Sequence, residues 1–254
     1  MTPVDTGALN VRALVELRGM ADLLCDDLAR HTKEAKLEEW ARREYVRSLF
    51  AMLEGLTYGL KQAAVVFAKT LLVELAPEEQ ALIEESAYEL NERGDVGKRR
   101  LHLRLLPSLQ FAFKIYVKAA RIAFELPVHE SGWEKLRRVR DVRDRLTHPK
   151  SVADLGVSDE EFAISEEVSA WFSTHFEECL WLACVGLLAS LDDFKAKLDD
   201  RDQLPRGPSG GYSAKGMQDL SARSLSSPSS EKRAAAEALL QKVRARVDVQ
   251  RSGR

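Results

Sequence analysis

The stretch Leu49–Leu71, LFAMLEGLTYGLKQAAVVFAKTL, decides the fold class of this chain. Leu49, Leu53, Leu56, Leu60, Ala64, Phe67 and Leu71 recur at threes and fours, which places them on one face of an α-helix. Pro77 ends that stripe and opens a third helix through Glu78, Glu79, Leu82, Ile83 and Leu90, which stops near Gly94 and Gly97. Upstream, Leu14, Leu17, Ala21, Leu24 and Leu28 repeat the same period and predict a first helix.

Downstream, Pro107 begins a fourth helix with Leu109, Phe113, Tyr116, Ala120 and Phe124 on one face, closed by Pro127. Ser131 and Glu134 have the spacing of a capping box, so a fifth helix starts there. It ends by Thr147, because Pro149 pushes the residue before it out of the α region. A last core helix runs from about Ser165 to Leu198, with Trp171, His175, Cys179, Leu182 and Ala189 facing inward. No run alternates apolar and polar long enough to propose a sheet. The expected class is all-α, an up-and-down bundle over residues 1–200.

Composition changes near residue 201. Residues 201–230 are rich in Pro, Gly and Ser, which predicts a flexible linker. A short basic amphipathic helix could follow within 231–254, with Leu239, Val243 and Val247 on one side. The overall net charge of −2 hides an asymmetry: residues 1–200 carry a net −8, and 201–254 a net +6. The basic end could lie on nucleic acid or on the acidic body of the chain.

Cys25, Cys179 and Cys184 are odd in number and lack Cys-x-x-Cys spacing, so a reducing compartment fits better than a disulfide framework. No secretory signal is visible, and the longest apolar stretch, Cys179–Leu191, is too short to span a bilayer. The expected location is cytoplasmic, with no membrane partner. His175 and Cys179 stand at i and i+4, a possible metal pair, but no second pair of ligands accompanies them and core packing is the preferred reading. No phosphate-binding glycine loop, Ser-His-Asp order or paired-carboxylate signature occurs, and no cofactor is expected.

The chemistry points to Arg143-Asp144-Arg145-Leu146-Thr147-His148-Pro149. Cutting RNA through its 2′-hydroxyl needs a group that moves a proton near neutral pH and a cation for charge building on phosphorus. Histidine suits the first task and the planar guanidinium of arginine the second. Asp144 could fix a tautomer of His148 or orient Arg143. Arg143 and His148 are five positions apart, and the break at Pro149 would let His148 turn back toward a groove shared with Arg143. A basic helix end also has a purely structural explanation, since Arg and His complement the C-terminal dipole.

This run resembles the active-site motif of the HEPN superfamily: Arg, a polar residue, a short spacer, then His. The resemblance implies paired helical bundles whose motifs line one cleft across a dimer interface. It also implies metal-independent endoribonuclease activity that leaves a cyclic phosphate, in a toxin or defence setting. Arg143 would then clamp phosphate, Asp144 fill the polar second position and His148 act catalytically. The charged run Arg43-Glu44-Tyr45-Val46-Arg47-Ser48-Leu49-Phe50 is similar to an early long helix of that superfamily, but an exposed salt-bridged helix face is the preferred reading. Lys150 stands where adenylylated toxins of that superfamily carry tyrosine, which argues against that branch.

Arg138, Arg140, Arg145 and Lys150, with the cluster Lys98-Arg99-Arg100, are the candidate RNA-backbone contacts. Expected partners are RNA, a second copy forming a composite site, and an antitoxin or regulatory protein. The alternative is a non-catalytic helical dimer that binds RNA or a protein partner.

Overall fold

The computed structural model describes the backbone of residues 3–202 and side-chain exposure over residues 9–187. The linker and basic helix expected within 201–254 lie outside the described residues, except that Arg201 and Asp202 still belong to a helix. Six α-helices, one two-stranded hairpin and a short 3-10 helix at Val152–Leu155 form the regular elements of the described chain: α1 Pro3–Ala35, α2 Glu39–Thr70, α3 Pro77–Ile83, β1 Ser86–Leu90, β2 Val96–Arg100, α4 Leu105–Ala120, α5 Ser131–Thr147 and α6 Asp159–Asp202. The chain divides at Gly186 into two units. Everything described below belongs to the first.

Helix α2 is the centre. Its stripe Leu49, Leu53, Leu56, Leu60, Ala64 and Phe67 is buried, and so are Met52, Ala63 and Ala68 on flanking positions. It is covered by α1 on one side and α4 on another. The α1–α2 approach is close because Gly59 and Gly55 face the tips of Leu17, Met20 and Leu24. Phe67 meets Tyr116 of α4 edge to face at 5.6 Å, and Tyr45 meets Phe162 of α6 at 5.1 Å. Phe113 of α4 likewise packs on Phe172 of α6 at 6.2 Å. Aromatic edges therefore bind α2, α4 and the first half of α6 into one core.

The mostly helical class holds, with one exception that the sequence concealed. The third helix stops at Ile83 instead of running through Leu90, and Ser86–Leu90 pairs antiparallel with Val96–Arg100. Asn91 closes the turn by accepting hydrogen bonds from the amides of Arg93 and Asp95 on its side-chain oxygen, while Gly94 takes φ 80°. Most of the hairpin is exposed on both faces, with Ser86 at its base the buried exception. Without a buried face, no apolar alternation is required of it.

Three helix ends also differ from expectation. Helix α4 starts at Leu105 and ends at Ala120, where Arg121 turns left-handed (φ 55°); Phe124 lies beyond it yet stacks on Phe113 at 5.7 Å. Helix α5 starts at Ser131 as expected, but no capping box forms there. The preceding Glu130 instead accepts a hydrogen bond from the Trp171 indole at 3.0 Å. Helix α6 begins six residues earlier than expected, at Asp159, where Ser158 and Glu161 form the reciprocal cap.

Candidate active site and nucleic-acid groove

Helix α5 is apolar on one stripe only. Trp133, Leu136, Val139, Val142 and Leu146 are buried against the bundle, which leaves the rest of the helix to charge. Arg137, Arg140 and Arg143 recur every three residues and open together onto a groove of about 720 Å³. Arg104 and Leu105 at the start of α4, with Phe50 and Glu54 of α2, complete its walls.

Arg143 is the most constrained of these arginines. Its Nη2 donates to Glu54 Oε1 at 2.9 Å and its Nη1 to Asp144 Oδ1 at 3.1 Å. Its guanidinium carbon lies 5.6 Å from the Phe50 ring centroid. Two carboxylates and an aromatic face thus fix the plane of the fork. Of the two roles open to Asp144, the geometry matches orientation of Arg143.

His148 caps the C-terminus of α5 with φ −128° and ψ 62°, and its amide donates to Asp144 O at 3.0 Å. The loop beyond is pinned by Asp154, whose carboxylate accepts from the amides of Lys150 and Ser151 at 2.7 and 2.8 Å. Those two hydrogen bonds to the charged form hold the Asp154 carboxyl below its usual range. Arg43 of α2 secures the far end of the loop by donating to Leu155 O at 3.3 Å. His148 is exposed, but it does not wall the groove that holds Arg143. The expected convergence of both side chains on one groove within a single chain is therefore not what the structure displays.

The other nominated residues separate into three groups. Arg140 lines the groove beside Arg143. Arg138 and Arg145 point the other way, to Glu160 at 2.8 Å and to Glu161 at 2.8 Å, and Arg145 also donates to Gly156 O. They tie α5 to α6, because positions 138 and 145 lie two turns apart on the helix side away from 137, 140 and 143. Lys150 is exposed in the loop. Lys98, Arg99 and Arg100 sit on β2 and border a second hollow of about 640 Å³, with Tyr58, Gln62, Glu84, Glu85 and Ser86. Each has an acid nearby: Lys98 with Glu84 at 2.6 Å, Arg99 with Glu89 at 3.4 Å, Arg100 with Glu85 at 3.9 Å.

Glu54 was missed from sequence. Glu54 lies 89 positions from Arg143, and nothing local marks it as a partner. The His175–Cys179 pair is explained by packing. His175 faces Glu130 at 3.3 Å and rests on Trp171, while Cys179 is buried and desolvation pushes its thiol up. No cluster of three metal-ligating side chains occurs among the described residues. No described helix is long and apolar enough to cross a membrane.

No protein-family model matches the chain, and neither a curated protein nor a solved structure matches it.

Proposed function

We propose that the chain is a HEPN-type endoribonuclease that works as a homodimer in the cytoplasm. The observation that carries the reading is the oriented Arg143 fork in a groove walled by Arg104, Arg137 and Arg140, with His148 exposed five residues away at the helix end. Arginines crowded into one groove attract a polyanion and hold a phosphate bidentately. An exposed imidazole can take the proton of a 2′-hydroxyl or return one to the leaving oxygen, so the chain's own residues supply proton transfer and charge stabilisation without a metal. Because His148 stands outside the groove wall of its own chain, a composite site is the arrangement that lets a histidine from each copy serve as base and acid. An antitoxin or regulatory protein would act by covering the basic groove.

A second reading, binding without cleavage, has its own support. The Arg143 fork is already engaged by two carboxylates, and His148 is absent from the groove wall.

Incubation with RNA in EDTA separates the two. Cleavage that leaves cyclic phosphate ends, and is lost in both His148→Ala and Arg143→Ala, supports the enzyme. Loss of one positioned acid–base group should slow the reaction about a hundredfold or more. Arg143→Lys does not restore it, because an ammonium cannot grip two phosphate oxygens in a plane. Binding with intact RNA supports the second reading. Cleavage surviving both alanine changes places the chemistry elsewhere, and a monomer by light scattering with and without RNA removes the composite site.

A further inference from the structure

The groove of Arg143 and the hollow of β2 share a wall. Phe50 and Glu54 of α2 line the first, and Tyr58 and Gln62 line the second. These four residues are successive i+4 positions, so they follow one slowly turning stripe along the helix. The stripe from Phe50 to Gln62 is about 18 Å long, at 1.5 Å per residue. The second wall is continuous too. β2 ends at Arg100 beside the hollow, and the segment Leu101–Leu103 connects it to Arg104 in the groove, which Leu103 also lines.

Charge and aromatic surface lie along this path in a particular order. The groove end has Arg104, Arg137, Arg140 and Arg143 against Glu54 and Asp144. Among the described residues Arg104 has no ion-pair partner. At the hollow end, Glu85 is engaged chiefly by the buried Lys61 ammonium at 2.6 Å. Arg100, at 3.9 Å from the same carboxylate and 77% exposed, keeps most of its charge for solvent or ligand. Between the two basic ends stands Tyr58, 52% exposed although it lies on the helix that forms the core. Tyr88 of β1, 63% exposed, sits opposite Lys98 in the hairpin register, on the same face as Arg100.

We infer that the groove and the hollow form one track for a single strand of RNA, with Tyr58 the aromatic on which a base stacks between two phosphate-holding basic ends. An exposed ring flanked by guanidinium groups binds unpaired bases, because every base offers a π face and stacking is sequence-tolerant. A duplex cannot use it, since its bases are stacked on one another and its recognition runs through shape and backbone. The inference rests on the RNA reading above and narrows the substrate to unpaired strands several nucleotides long.

Binding is tested with full-length protein and a labelled single-stranded RNA of about ten nucleotides, fully 2′-O-methylated so that it cannot be cut. A matched duplex is the comparison, and fluorescence anisotropy is the readout. The single strand should bind at least about tenfold more tightly than the duplex, Tyr58→Ala should weaken it about tenfold, and Tyr58→Phe should keep wild-type affinity. Arg100→Gln should weaken binding and make it less sensitive to salt. Equal affinity for strand and duplex, or unchanged affinity in Tyr58→Ala, overturns the track. Loss in Tyr58→Phe equal to that in Tyr58→Ala also overturns it, because stacking needs only the ring. If the methylated strand binds in this pattern while unmodified RNA is never cut, the track stands and the ribonuclease reading falls. If RNA is cut but Tyr58→Ala binds normally, the reverse holds.

Discussion

Glu54 of α2 and Arg143 of α5 meet at 2.9 Å across the groove, the only side-chain hydrogen bond found between these two helices among the described residues. Arg143 is 36% exposed and Glu54 51%, so the pair is wet and contributes less than about 1 kcal/mol to stability. Its effect falls on the direction of the guanidinium, which without Glu54 would be held by Asp144 and the Phe50 ring alone.

Glu54→Gln should therefore leave the melting temperature nearly unchanged. It removes a carboxylate that competes with phosphate, so RNA should bind more tightly, by about two- to fivefold at low salt. On the ribonuclease reading kcat should fall while KM falls with it, because the fork is less well aimed. A rise in KM with unchanged kcat would show that Glu54 does not set the Arg143 geometry.

Gly132→Ala should destabilise the bundle by about 1–3 kcal/mol in urea unfolding. A Cβ there would sit 2.3 Å from Trp171 Cγ, and the indole is held by Glu130 and flanked by Trp133. Gly59→Ala should cost less. The atoms a Cβ would meet at Gly59 are the flexible tips of Met20 and Leu17, and alanine improves helix propensity by up to about 1 kcal/mol.

Lys61 is 1% exposed and held by Glu85 Oε1 at 2.6 Å, with Ser108 Oγ at 3.5 Å. Glu85→Gln should destabilise more than Lys61→Met, because it leaves a buried ammonium without its counter-charge, a loss of up to about 3 kcal/mol. Lys61→Met replaces the stem with an apolar chain of similar length. Chemical denaturation of both variants checks the order; equal losses would mean the pair acts only through packing.

The loop beyond His148 should respond to acid. Asp154 is depressed when folded, so its contribution is present above the unfolded value and is lost as pH falls through the lower, folded one. Below the ordinary aspartate range of about 4, the amide signals of Lys150 and Ser151 should move together in an NMR titration. In Asp154→Asn they should already sit near their acid positions at neutral pH. Independent movement of the two amides would mean that Asp154 does not hold them jointly.

Helix period made α1, α2 and α5 readable, because each buries a continuous stripe whose spacing needs no partner to be recognised. The hairpin was not readable, since a strand pair exposed on most of both faces carries no alternation. In the candidate site, Arg143, Asp144 and Arg140 were visible as local sequence, and Asp144 accepts a hydrogen bond from the arginine. Arg138 and Arg145 look identical to Arg140 in a string of letters. Only the angular position around α5, seen against α6, separates a helix tie from a groove wall. Glu54 and Tyr58 had no local mark, because their role arises from what α5 and β2 bring beside them.

The near-local α1–α2 hairpin and the distant groove also set an order of assembly. Helices α1 and α2 are joined by a turn at Lys36–Glu38 and bury most of their contact within the first 70 residues. Contacts between neighbouring segments form fastest, and domains begin to fold while synthesis continues. The groove waits for Arg143, which is made long after Glu54 has been placed. During translation, then, the nascent chain holds a folded helical pair but no assembled arginine cradle.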